Sequence, residues 1–130
     1  MRSVFSLVVL GLLLCLVPAH ASERAPIYHA IEPAFVVNVQ DGNRPRFMQV
    51  KIQVMTHNKQ VIDHLQNNLP PIRHAMIMLL SSQAGDTMRS APGREAVRAQ
   101  ALEVMRETLA EVAGVQDGLE ALYFTDLVIQ

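Results

Sequence analysis

The sequence predicts an α+β domain: a three-stranded, mainly antiparallel sheet packed by about three helices, behind an N-terminal signal or anchor segment. Three observations predict it. Between Met48 and Val54 apolar and polar residues alternate with a period of two, which marks a strand with one buried and one wet face. Helical patterning, interrupted by a polar break at Ala84 to Ser90, occupies the stretch from Asn58 to Gly114. The last nine residues, Leu122 to Gln130, are rich in β-branched and aromatic types and contain no Gly or Pro. Such a run exposes unpaired backbone and a sticky face unless a sheet takes it in, so it reads as a core strand, with Tyr123, Phe124 and Val128 as its structural residues.

Taken in order, residues 1–21 read as an export signal or a short membrane anchor, and 22–130 as the folded domain. Arg2 gives a positive start, Val4 to Val17 an apolar core, and Ala19-His20-Ala21 a small-x-small site before Ser22. That core is fourteen residues long, below the ~20 of a spanning helix. Cys15 follows the bulky Leu14, unlike a lipidated cysteine. The spacing then predicts a strand over Phe35 to Gln40, with Pro33 tolerated at its start. Asp41-Gly42-Asn43-Arg44-Pro45 is a turn, and the strand after it closes an antiparallel hairpin.

Asn58 caps a helix to about Asn67, and Pro70-Pro71 opens a second over Ile72 to Gln83. Ile72 and Met76 lie on its core stripe, while Ile77 and Met78 add apolar surface elsewhere. A helix apolar nearly all round is buried on two sides or faces a partner, so these four form the candidate partner or oligomer surface. Ala84 to Ser90 reads as a polar break. A third helix begins at Ser90 or Pro92, has Arg94 to Ala113 as its body, and ends at Gly114 in a left-handed cap.

Composition narrows the function. The 130 residues make one domain, and a net charge of −1 without a basic run removes the footprint of a nucleic-acid binder. With no tryptophan and only six other aromatics, a stacking platform for sugars or bases is not expected either. Cys15 is the sole cysteine, so the exported domain has neither disulfide nor thiol nucleophile. His57, His64 and His74 lie seven and ten residues apart without cysteines, which is not a zinc-ligand spacing. Asp126 points to solvent or to a basic neighbour such as Arg46. Gly93-Arg94-Glu95 lacks the pattern of a phosphate loop and reads as a helix start, with Glu95 complementing the dipole. No cofactor or metal is expected, and the chain reads as an interaction domain. The alternative is a small-ligand or lipid-binding module whose pocket, lined by Met and Leu, lies between sheet and helices.

The ending Tyr123-Phe124-Thr125-Asp126-Leu127-Val128-Ile129-Gln130 resembles the terminal motif of the FliL family of flagellar basal-body-associated proteins. Glu32-Pro33-Ala34-Phe35-Val36-Val37-Asn38 is similar to the family's first strand, and Arg46-Phe47-Met48-Gln49-Val50 to its second. Leu69-Pro70-Pro71-Ile72-Arg73-His74, Leu79-Leu80-Ser81-Ser82 and Gly93-Arg94-Glu95 with Arg98 fit the helices, in order from Tyr28 to Gln130. The resemblance implies a stomatin-like periplasmic domain at the inner membrane that associates with flagellar stator units and basal-body proteins and assembles into a homo-oligomeric ring. Family members typically carry a full membrane helix, from which the short apolar start of this chain departs.

Overall fold

The computed structural model describes Glu23–Gln130, so the expected signal or anchor at 1–21 lies outside the described residues. Three strands form one antiparallel sheet in the order β1-β2-β3: β1 Ile27–Asp41, β2 Arg44–Thr56 and β3 Ala121–Ile129. Four helices lie between β2 and β3: α1 Lys59–Asn67, α2 Leu69–Ser81, α3 Gly85–Arg89 and α4 Ala91–Ala113. They cover one face of the sheet, to which β1 and β2 send Phe35, Val37, Val39, Met48, Val50, Ile52 and Val54, all buried. The alternation read from Met48 to Val54 thus marks the buried face of the central strand.

Local chemistry sets the boundaries. β1 begins well before the predicted Phe35, because a bulge between Ile31 and Phe35 absorbs Pro33, which needs no ladder partner there. Gly42, at φ 61°, makes the hairpin turn. The side chain of Asn58 accepts from the Gln60 amide and starts α1. Prolines at the first helical positions open α2, which starts and ends a few residues before the predicted Ile72–Gln83. Ser90 caps α4 by accepting from the Gly93 amide at 3.0 Å, and Gly114 closes it at φ 67°.

The expected polar break at Ala84 to Ser90 is instead the short helix α3. A tertiary ion pair holds it: Arg89 grips the Asp41 carboxylate at the end of β1 with two bonds, of 2.6 and 2.8 Å. Gly85 packs on the Asp41 side chain, and Met88 is fully buried. Glu95 is corrected too. It lies beyond the first turn of α4 and pairs with Arg98 at 2.5 and 2.8 Å instead of facing the helix start.

Candidate partner-binding surface

Among the described residues β3 is an edge strand, paired with β2 alone, and only part of it is core. A bulge opposite Lys51/Ile52 leaves Thr125 without a register partner and resets the alternation. Leu122 is therefore fully buried, and Phe124, Leu127 and Ile129 pack on the core from the same side. Tyr123 and Val128, expected as core residues, lie on the opposite face at 38% and 40% exposure. That corrects the reading of the strand: of the three residues, Phe124 alone packs on the core.

The candidate surface on α2 is also corrected. Ile72 and Met76 are fully buried, because they occupy the turns of α2 that pack under β1 and against α4. Ile77 and Met78 remain exposed on the outside of the helical layer. Sequence reasoning found this pair and missed a larger apolar surface.

That surface is the open face of the sheet, which no helix among the described residues covers. Val36 on β1, Phe47 on β2 and Val128 on β3 are 60%, 63% and 40% exposed. The register puts them together: Val36 is opposite Gln49, Gln49 is opposite Val128, and Phe47 exchanges two backbone bonds with Gln130, of 3.0 and 2.8 Å. A shallow depression of about 210 Å3 lies among them. Towards the other end of the face the Tyr28 and Tyr123 rings meet, their centroids 6.3 Å apart. Lys51 and Asp126 are opposite each other between the two groups. A signal for this patch exists in the sequence. Phe47 and Val36 are bulky apolar residues out of phase with the buried alternation beside them.

The remaining titratable groups tie elements together. Thr56, fully buried at the end of β2, donates to the Gly118 carbonyl at 2.5 Å and accepts from the Asn58 amide. Next to it, Glu120 accepts from the His57 ring Nδ1 and from its backbone amide, both at 2.7 Å, and these bonds hold the carboxyl below its ordinary range. Arg89 does the same to Asp41, assisted by Arg46 at 3.7 Å. The arginine expected near Asp126 is therefore engaged at the hairpin, and Asp126 is exposed.

His64 and His74 are exposed and their rings join no hydrogen bond, so the histidines do not converge with Asp126 among the described residues. Nor do three or more His, Cys, Asp or Glu side chains gather there as a metal site. A ligand pocket lined by Met and Leu is not where it was expected. Met48, Met76, Met88 and Met105 are packed solid in the core. A depression of about 850 Å3 opens instead beside Glu23, Arg24, His57 and Glu120, a polar rim at one end of the sheet.

Such an arrangement defines a small α+β domain whose surface features suit contact with other proteins. The chain matches the family model described as flagellar basal body-associated protein FliL over residues 28–130, from β1 through β3. It is also 30% identical over 113 residues to a protein named Flagellar protein FliL from Aquifex aeolicus (strain VF5), covering 87% of this chain and 67% of that relative. The chain belongs to the FliL family and is a flagellar basal-body-associated protein.

Proposed function

We propose that this protein is a non-enzymatic accessory of the flagellar motor, associating with stator units at the basal body to support rotation, swimming, swarming and chemotaxis. The observation that carries the reading is the family match, which spans the sheet and every helix of the described domain. Residues 22–130 act in the periplasm at the inner membrane, as a domain similar to the stomatin type, and residues 1–21 serve as a cleaved signal or a short anchor.

Two unlike apolar patches support self-assembly into a ring. One is the open sheet face with Val36, Phe47 and Val128, and the other is Ile77 and Met78 on the helical layer. A ring built head to tail needs two different surfaces on each copy. In such a ring the helical patch of one copy meets the sheet face of the next, and the assembled ring contacts the stator. Complementing a deletion strain with Val36→Asp/Phe47→Glu tests this. The variant folds and accumulates normally but does not restore swimming and swarming halos. A deletion strain that swims and swarms like its parent would overturn the reading.

A further inference from the structure

The two edges of the sheet are treated differently. Along β1, Arg73 donates to the Pro33 carbonyl at 2.7 Å, and Ala84 bridges to Gln40. Along β3, arginines of α4 reach over the edge near its start: Arg106 donates to the Leu119 carbonyl at 2.8 Å and Arg98 to the Leu122 carbonyl at 3.0 Å. Beyond Leu122 this cover stops. Among the described residues no side chain bonds to the backbone of Leu127 or Ile129.

The ladder fixes which groups are left over. Phe47 and Gln130 exchange both backbone bonds, and bonded pairs recur at every second position of an antiparallel ladder. Gln49–Val128 and Lys51–Asp126 are the next such pairs, so the N–H and C=O groups of Leu127 and Ile129 point away from β2. Between this edge and α4 runs a groove of about 270 Å3, with Phe124 and Leu127 on one wall and Arg94 and Arg98 on the other. Glu95 neutralises Arg98. Arg94 donates only to the Arg89 carbonyl, at 3.0 Å, and has no carboxylate partner among the described residues. The groove therefore carries one uncompensated positive charge beside unpaired backbone groups.

We propose that an extended peptide segment of a partner protein, bearing a carboxylate, adds to β3 as a fourth strand along Leu127–Ile129 and sets that carboxylate on Arg94. A strand adds at ~4.8 Å from its neighbour, whereas a helix of ~10 Å diameter cannot bond an edge at all. Main-chain bonds give such a complex its affinity, while the groove and the arginine select the side chains. The inference rests on the reading of a partner-binding basal-body protein and deepens it by giving the form of the partner segment.

The test uses a fluorescent peptide of about eight residues, alternating Thr and Val around a central Asp, titrated onto the full chain by anisotropy. The Asp peptide binds about tenfold more tightly than its Lys counterpart, and Arg94→Gln narrows that gap to about twofold. At saturation, hydrogen exchange slows about tenfold at the Leu127 and Ile129 amides. Equal binding of the Asp and Lys peptides, or unchanged exchange at those two amides, overturns the proposal. So does protection that grows with protein concentration in the absence of peptide, which assigns the edge to a second copy. Lost motility on deletion, combined with no peptide binding, removes this proposal and leaves the basal-body reading standing; the reverse result removes the reading.

Discussion

On the covered face of the sheet, Met48, Val50, Ile52 and Val54 are at most 1% exposed, while Val36, Phe47 and Val128 on the opposite face are 40% or more exposed. The same strands supply both sets, and neighbours such as Phe47 and Met48 differ by a single step of the pleat. Residue type therefore says little about the work a side chain does here; its phase along the strand decides. Large apolar groups on the covered face exclude water and hold the helices. Their counterparts on the open face leave apolar area in water, where a partner gains by covering it.

The sharpest way to break the comparison is to truncate one residue on each face. Ile52→Ala on the covered face opens a cavity under the helices and lowers stability by about 3 kcal/mol in chemical denaturation. A smaller loss follows Thr56→Val, which removes the donor to Gly118 and the acceptor for Asn58, about 2 kcal/mol by the same measurement. Phe47→Ser on the open face changes stability by no more than about 0.5 kcal/mol. If Phe47→Ser instead matched Ile52→Ala, the open face would be part of the core.

Acid sharpens the contrast from the surface side. Asp41 and Glu120 are held below their ordinary range, by Arg89 and by His57 respectively. A carboxyl depressed in the folded state binds fewer protons there than in the unfolded chain, so its contribution is complete above the unfolded value. It is lost as pH falls through the folded one, below about pH 4. Stability measured from pH 5 downward therefore declines, and the decline is shallower in Asp41→Asn/Glu120→Gln. The effect is small because both groups sit at the surface. An identical acid profile in the double variant would show that neither pair matters.

How much of this was legible is best seen at particular residues. Asn58, Pro70-Pro71, Ser90 and Gly114 each carry a local backbone instruction, and each helix boundary they mark lies close to where it was read. The Met48–Val54 alternation is equally local, and so is the turn at Gly42. α3 was missed because five residues have no helical tendency that outlasts solvent; Asp41, far away in the chain, supplies the anchor through Arg89. The terminal strand was recognised, but the assignment of its faces was not, since a bulge at Thr125 shifts the phase by one residue. Val128 is thereby turned to the open face, whereas Tyr123 lies there by simple alternation with its neighbours Leu122 and Phe124.

By itself the sequence determined the α+β class, the order of the strands and of every helix but α3, the buried stripe of β2 and, through the ordered match from Tyr28 to Gln130, the family. These follow from periodicity, caps and wording, all readable within a few neighbouring residues. Only the tertiary structure decided which apolar residues of α2 and β3 reach water, which edge of the sheet stays open, and where Asp41 and Glu120 find their partners. Those outcomes depend on bulges and on contacts between distant segments, where one residue of slip turns a side chain from core to surface.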